Sequence, residues 1–263
     1  MSTPQMSAER IRQLAQSPAA AGVDVEVVAQ TGSTNADLLA RAAGLAAPRL
    51  LIAEHQTAGR GRAGRSWLSA PGHSLTFSLA WPFAGGLRRM AGLPLAVGVA
   101  LAETLGRLGQ PVQLKWPNDV LKDGDKLAGI LVEAQPAADG AAWAIIGIGL
   151  NLAMPHELEQ QIGRAVAAVP WLARMDRDAL LAALLDGLAD VLAQFDRTGF
   201  AAFSARWNAL HAYRGQPVTI VDRGAVLHEG LAAGVDDDGR LLLDTAAGRV
   251  AIVAGDVSLR PVA

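Results

Sequence analysis

The chain has 263 residues and no cysteine, so disulfide bonds and thiolate metal sites are excluded. Residues 1–18 lack the apolar core of a secretory signal, and no apolar run approaches the roughly 20 residues that span a bilayer. The net charge is only −2 and the pI is near 6.2, which disfavours a general nucleic-acid-binding domain. We therefore expect a soluble, cytoplasmic protein.

Apolar residues are plentiful instead: 51% of the chain is hydrophobic and 18% is charged, which is enough for a sizeable core. The length allows one large domain plus a small one.

The most informative segment is residues 56–67, which reads Gln-Thr-Ala-Gly-Arg-Gly-Arg-Ala-Gly-Arg-Ser-Trp. Glycine lets backbone N–H groups turn toward an anion, and the arginine fork matches phosphate or carboxylate. Trp67 offers a flat face on which a nucleobase can stack. Because ordering such a segment is costly without a ligand, the pattern predicts a loop that closes over a nucleotide.

Two common nucleotide motifs do not fit this segment. Residues 59–64 satisfy G-x-G-x-x-G, but a dinucleotide fingerprint must open a helix, and here a Pro71-Gly72 turn follows. A Walker loop would need Gly-Lys-Ser/Thr at its end. Taken alone, the segment could also be a basic solvated loop or an RNA-binding Arg-Gly segment.

Periodicity predicts a mixture of strands and helices along the chain. Strands are expected at residues 23–29, 50–55, 74–81, 113–116, 127–134 and 142–150, and helices at 34–43, 87–108 (interrupted by Pro94) and 176–196. Beyond Tyr213, short β segments at 218–222, 226–231, 241–244 and 250–254 predict a small β-barrel. We expect an N-terminal helix and linker over residues 1–22, a main domain over 23–212 and the barrel over 213–263.

Four further motifs accompany the Arg-Gly segment. They are Thr-Gly-Ser-Thr-Asn (31–35), Lys-Trp-Pro-Asn-Asp (115–119), Lys-Leu-Ala-Gly-Ile-Leu (126–131) and Gly-Ile-Gly-Leu-Asn (147–151). In this order the constellation resembles the biotin–protein ligases, from about residue 25 to 260. The resemblance implies an α+β fold: a catalytic domain of mixed sheet and helices akin to class II aminoacyl-tRNA synthetases, followed by a small Src-homology-3-like β-barrel. About two dozen residues precede the first strand, so the chain resembles the monofunctional type without a DNA-binding helix-turn-helix.

The activity that this resemblance implies has two steps. Biotin is activated by ATP to biotinyl-5′-AMP, and a lysine amine of a carrier protein then takes the biotin. Because an anionic nucleophile meets a polyanion in the first step, positive charge and Mg²⁺ are expected at the site.

The resemblance also implies the biotin-binding residues. They are Ser33, Thr34, Asn35, Gln56, Gly59, Arg60, Gly61, Arg62, Lys126, Gly129, Gly147 and Gly149. Two glycines inside one strand pattern indicate a close approach to the backbone, for which the biotin rings are the candidate. From the residues alone, residues 33–35 could equally cap a helix, and Gln56 could be an ordinary strand-end residue.

The implied ATP and adenylate contacts are Arg62, Arg65, Trp67, Asn118, Asp119 and Asn151, with Lys126 and Arg62 as catalytic residues and Asp119 as a Mg²⁺ ligand. Each has a plainer alternative. Trp67 could be a core residue, the Pro-Asn-Asp sequence a simple turn, and Lys126 a solvated lysine before a strand.

The resemblance implies the biotin carboxyl carrier protein of acetyl-CoA carboxylase as the acceptor, with neither DNA nor membrane as a partner. An exposed strand edge leaves a homodimer open. Two alternative functions remain: a lipoate or octanoate ligase of related fold, and a nucleic-acid-binding regulator.

Overall fold

A computed structural model describes residues 6–137, 140–163, 165–222, 225–254 and 258–261. Two β-sheets organise this part of the chain: a seven-stranded sheet formed before residue 152 and a five-stranded sheet formed after residue 216.

The first sheet has the strand order β1-β2-β3-β7-β6-β5-β4. Its strands are β1 (Asp24–Thr31), β2 (Arg49–Gln56), β3 (Ser74–Phe83), β4 (Gln113–Lys115), β5 (Asp119–Lys122), β6 (Asp125–Pro136) and β7 (Ala142–Asn151). β1 and β2 are parallel, and every other neighbouring pair is antiparallel. The long antiparallel trio β3, β7 and β6 is the centre of the sheet.

Seven α-helices occur in the described residues: α1 (Ala8–Leu14), α2 (Thr34–Arg41), α3 (Leu93–Arg107), α4 (His156–Ile162), α5 (Pro170–Arg174), α6 (Arg177–Thr198) and α7 (Ala201–Leu210). The main core joins α3, α6 and α7 to one face of the seven-stranded sheet, and α1 packs against α6. Helix α2 packs on the opposite face, where Leu38 belongs to a small buried cluster that includes Leu51 and Ile145. This second face therefore stays open beside α2.

The second sheet is antiparallel, with the order β11-β10-β9-β8-β12. Its strands are β8 (Pro217–Asp222), β9 (Ala225–Val235), β10 (Leu241–Thr245), β11 (Gly248–Ile252) and β12 (Ser258–Pro261). Its apolar side joins the main core through residues such as Val218 and Leu241. The indole Nε1 of Trp116 donates to the carbonyl of Gly239 at 3.2 Å, which ties the first sheet to the second.

The predicted strands and helices are largely confirmed, with one clear error. Pro94 does not interrupt a helix over residues 87–108. It stands in the first turn of α3, where a missing N–H costs nothing, and Leu87–Met90 is a separate 3-10 turn. Strands β5 and β12 and helices α4, α5 and α7 were not predicted. The division of the chain at residues 22 and 212 stays a prediction.

Among the described residues, no helix is long and apolar enough to cross a membrane.

Candidate functional site

A cavity of about 560 Å³ opens on the face of the first sheet that α2 only partly covers. Its walls bring together all five sequence motifs. Every residue named from the sequence as a site residue lines it except Gly59: Ser33, Thr34, Asn35, Gln56, Arg60, Gly61, Arg62, Arg65, Trp67, Asn118, Asp119, Lys126, Gly129, Gly147, Gly149 and Asn151. The volume is typical of a small-molecule site.

Strand register explains why residues from three strands share this face. Gly129 on β6 faces Gly149 on β7, and Gly147 lies between Leu131 on β6 and Ser78 on β3. Since side chains alternate across a sheet, residues two apart on each strand point into the same cavity. Glycine has no side chain, so other groups can approach the backbone of β6 and β7 closely here.

The start of α2 forms one end of the cavity. Ser33 caps the helix by accepting from the N–H of Ala36 at 3.5 Å, so the capping alternative is correct for its side chain. The backbone N–H of Thr34 donates to Gln56 Oε1 at 2.8 Å. Although Thr34 and Asn35 are each only 3% exposed, both still line the cavity. Neutral donors and acceptors therefore concentrate at this end.

Ser78 extends this neutral network and was not named from the sequence. Its hydroxyl donates to Asn35 Oδ1 at 2.6 Å and lies 2.6 Å from the hydroxyl of Thr34. The signal available was the row of alternating hydroxyl residues in β3, Ser74, Thr76 and Ser78, because a buried hydroxyl needs a partner.

Two protein side chains make the close approach to the glycines that the sequence assigned to the biotin rings. A Cβ at Gly147 would lie 2.4 Å from Asn35 Oδ1, and one at Gly149 would lie 2.2 Å from Trp67 Cε2. Both distances are far below van der Waals contact. Glycine at these positions therefore leaves room for Asn35 and Trp67, whatever ligand binds beside them.

The Arg-Gly segment forms a short hairpin over the cavity. The N–H of Trp67 donates to the carbonyl of Gly59 at 2.9 Å, and the N–H of Gly61 donates to the carbonyl of Arg65 at 2.7 Å. Gly59 lies behind the wall, where a Cβ would meet the Trp67 carbonyl at 2.3 Å, so the structure accounts for it by packing. The described residues directly after the segment lead into β3 and not into an α-helix, which agrees with rejecting the dinucleotide fingerprint.

Asn118 links this hairpin to the sheet. Arg62 donates to Asn118 Oδ1 at 3.0 Å, and Asn118 Nδ2 donates to the carbonyl of Ile130 at 2.7 Å. Arg60 reaches Glu133 on β6 at 2.7 Å, an ion pair that was not anticipated from the sequence.

Lys126 stands at the other end of the cavity and forms an ion pair with Asp119. Their side chains are only 17% and 18% exposed, so the pair is largely withdrawn from solvent. The ammonium lies 5.7 Å from the ring centre of Trp67, within the range of a cation–π contact. Asn151 sits below it and donates to the backbone carbonyls of Ala167 at 3.2 Å and Lys126 at 3.4 Å.

Cations dominate the cavity wall. Six cationic side chains and one carboxylate line it: Arg60, Arg62, Arg65, Lys115, Lys126, Arg260 and Asp119. Arg260 and its neighbour Leu259 come from the second sheet and were not named as site residues from the sequence. The wall can therefore bind a strongly anionic ligand next to a neutral polar one.

Two aromatic residues behind Lys115 have shifted pKa values. Burial, with help from Arg214, lowers the pKa of His211 to about 4, and both ring nitrogens are buried without a hydrogen-bond partner in the described structure. Burial raises the pKa of Tyr213, with smaller contributions from Asp119 and Asp125. The Tyr213 ring lies 5.9 Å from the Lys115 ammonium, so this pair supports the cavity from outside.

Comparison with known proteins identifies what this chain is similar to. Residues 27–151 match the Biotin/lipoate A/B protein ligase family, and residues 214–260 match the Biotin protein ligase C terminal domain. The chain is 38% identical over 242 residues to the biotin–[acetyl-CoA-carboxylase] ligase of Mycobacterium tuberculosis, covering 89% of this chain and 88% of the relative. It is 35% identical over 246 residues to the bifunctional ligase/repressor BirA of Escherichia coli, covering 91% and 75%.

A solved structure gives the same result. The biotin protein ligase of Aquifex aeolicus in complex with biotin and ATP superimposes with a TM-score of 0.76 at 28% identity, covering 90% of this chain and 99% of that one.

Proposed function

The chain belongs to the biotin–protein ligase family, and we propose that it activates biotin with ATP and transfers it to a lysine of a carrier protein. The observation that carries this proposal is the cavity itself. A neutral hydrogen-bonding end and a cationic end share one space, as a reaction between the acid biotin and the polyanion ATP requires.

In the first step, a carboxylate oxygen of biotin attacks the α-phosphorus of ATP. The bond to the β-phosphate breaks, which gives biotinyl-5′-AMP and pyrophosphate. In the second step, a lysine amine attacks the acyl carbon, loses a proton and releases AMP. Both steps need a site that excludes water, since water would hydrolyse the mixed anhydride.

We assign the neutral end to biotin. The ureido ring needs donors and an acceptor without charge, which the residues around Thr34, Asn35 and Gln56 supply. Gly147 lets Asn35 lie close against β7, which shapes the space for the rings, and Gly149 does the same for Trp67. Arg60, Gly61 and Arg62 of the hairpin complete this assignment, because the guanidinium fork of arginine matches a carboxylate.

We assign the cationic end to ATP. Lys126 and Arg62 neutralise the biotin carboxylate and the charge that develops on the α-phosphate, which makes them the catalytic residues. Arg65 and Asn118 add phosphate contacts, Trp67 stacks on adenine, and Asn151 contacts the adenosine. In the structure the Trp67 ring lies over Gly149.

Mg²⁺ would be held by Asp119 together with the phosphates of ATP, where it would supply further neutralisation of charge. Among the described residues, no group of three acidic or histidine side chains is arranged so that it could hold a metal ion. One carboxylate suits Mg²⁺, which is usually bound by one or two carboxylates plus substrate phosphates.

The family assignment also suggests the finer points of the fold and partners. We propose that the first sheet belongs to a class II synthetase-like domain and the second to an Src-homology-3-like barrel. The acceptor is the biotin carboxyl carrier protein of acetyl-CoA carboxylase, and the activity takes place in the cytoplasm. A homodimer through an exposed strand edge stays a prediction.

The proposal is tested by incubating the protein with ATP, Mg²⁺, labelled biotin and a carrier domain. We expect label on the carrier only when its acceptor lysine is present, and none on a carrier with that lysine changed to arginine. Labelled biotinyl-AMP without any transfer would refute the second step, and the absence of both products would refute the proposal.

A further inference from the structure

Glu133, on β6, connects two parts of the site that are far apart in the sequence. One carboxylate oxygen accepts from Arg60 of the hairpin at 2.7 Å, and the other accepts from Asn35 Nδ2 at 3.0 Å. Its side chain is 20% exposed, and it does not itself line the cavity. The carboxylate therefore lies outside the cavity lining and binds two residues, Arg60 and Asn35, that belong to the lining.

The chemistry of a carboxylate gives these contacts a direction. An ionised carboxylate only accepts hydrogen bonds, so the amide of Asn35 must turn its NH₂ group toward Glu133. Its Oδ1 is then left for the hydroxyl of Ser78, as observed at 2.6 Å. The backbone carbonyl of Leu131 accepts from the same Nδ2 at 3.3 Å, so Glu133 and Leu131 together set the order of donors and acceptors at the neutral end of the cavity.

The same carboxylate also holds the hairpin. Arg60 is 47% exposed and belongs to a segment whose glycines favour many conformations. Among the side-chain contacts of the described hairpin, the bond from Arg60 to Glu133 and the bond from Arg62 to Asn118 reach the sheet. Removing the first loosens the N-terminal arm of the hairpin and leaves the second in place.

We propose that Glu133 is a positioning residue that couples closure of the hairpin to the orientation of the Asn35 amide. The inference rests on the proposed function, because the ligand between these two groups is taken to be biotin and its adenylate. A ligand bound at Asn35 and the hairpin above it are then held by one carboxylate.

Two substitutions separate the two contacts. In Glu133→Gln, the amide oxygen can still accept from Asn35, but its NH₂ group cannot accept from Arg60. We expect biotinyl-AMP to dissociate about fivefold faster, the loss typical of a half-exposed ion pair, with the KM for biotin nearly unchanged. In Glu133→Ala the Asn35 amide loses its carboxylate acceptor and keeps only the longer bond to the Leu131 carbonyl, so the KM for biotin rises as well.

Limited trypsin digestion measures how easily the hairpin opens, and this measurement does not depend on catalysis by the protein. The segment keeps all three arginines in Glu133→Gln, and cleavage within it should become about fivefold faster than in the wild type. Arg60→Gln removes the same ion pair, so its effect on adenylate release and that of Glu133→Gln should not add in the double variant. Adenylate release is the measure for this pair, because Arg60→Gln also removes a trypsin site.

Glu103→Gln is the matched control. It makes the same change in an arginine–carboxylate pair of similar exposure, with Arg206, between α3 and α7 and away from the cavity lining. We expect unchanged adenylate release and unchanged cleavage of the hairpin in this variant.

The positioning role is supported if Glu133→Gln raises both rates while Glu103→Gln raises neither. It is overturned if Glu133→Gln leaves both rates unchanged, or if the effects of Glu133→Gln and Arg60→Gln on adenylate release add fully. A wild-type protein that forms no adenylate would instead refute the proposed function, and the trypsin rates would then decide the role of Glu133 alone.

Discussion

Gly147 and Gly149 lie two residues apart on β7, and replacing each with alanine should damage a different half of the site. At Gly147 the added methyl group would lie 2.4 Å from Asn35 Oδ1, and at Gly149 it would lie 2.2 Å from Trp67 Cε2. Carbon atoms in contact are normally about 3.5–4.0 Å apart. Each neighbour must therefore move by about 1 Å. A misplacement of that size in a site can lower the reaction rate about 100-fold.

The two neighbours differ in how easily they move. Asn35 is 3% exposed and is held by Ser78 and Glu133. Gly147→Ala should therefore strain the fold by about 1–3 kcal/mol, as overpacking does, and also weaken biotin binding. Trp67 belongs to a surface hairpin that can swing outward. Gly149→Ala should change stability by less than about 0.5 kcal/mol. It should weaken ATP binding about 10- to 100-fold, the loss expected when a base loses its stacking partner.

Calorimetric titration with biotin and with a non-hydrolysable ATP analogue measures the two affinities, and chemical unfolding measures the stabilities. Gly98→Ala on α3 is the control, because its methyl group would make ordinary contact with Leu114 at 3.4 Å. The reasoning is refuted if Gly149→Ala weakens biotin as much as the ATP analogue, or if Gly147→Ala leaves both stability and biotin binding intact.

Three further outcomes are expected. His211 titrates near 4 when folded and near 6.5 when unfolded, so the unfolded chain binds the extra proton and the stability falls by about 3 kcal/mol between pH 7 and 4. Unfolding curves across this range should show a smaller fall in His211→Phe, and an equal fall would contradict the assignment. Lys126→Ala should abolish adenylation in a folded protein, as pyrophosphate exchange and circular dichroism would show; normal exchange would remove Lys126 from the site. Arg62→Gly should speed release of biotinyl-AMP more than it weakens biotin binding, and comparable losses would show that Arg62 does not single out the phosphate.

Much of the site could be predicted because its motifs are continuous in the sequence. Ser33 predicts the start of α2, and the Arg-Gly segment predicts an anion-binding loop. The glycine pair on β7 predicts that another group lies close to the backbone. Local chemistry is sufficient for each of these, since capping, backbone freedom and charge are properties of neighbouring residues.

What could not be predicted depends on pairing over long distances. Asn35 rather than a ligand fills the space above Gly147, and nothing near either residue indicates that they meet. Glu133 reads as an ordinary charged residue on a strand until register and α2 place it between Arg60 and Asn35. Arg260 reaches the cavity only because the second sheet packs against the first.

Local rules also misled in one place. Proline inside an apolar run usually breaks a helix. Here Gly92, two residues before Pro94, adopts φ 76° and caps the start of α3, so that Pro94 falls in the first turn. The backbone of Gly92 packs against Phe200. Proline has no backbone N–H. In the first turn of a helix that N–H would have no partner in the helix, so proline is favourable there, whereas in the interior a hydrogen bond is lost. The position of the first turn therefore decides which effect applies.

Biotin-dependent exchange of labelled pyrophosphate into ATP tests the central claim most directly, with lipoate and octanoate in parallel. The account predicts exchange with biotin alone, in the presence of Mg²⁺. Exchange only with lipoate or octanoate would contradict the assignment of the neutral end of the cavity to biotin, and no exchange with any acid in folded protein would contradict adenylation itself.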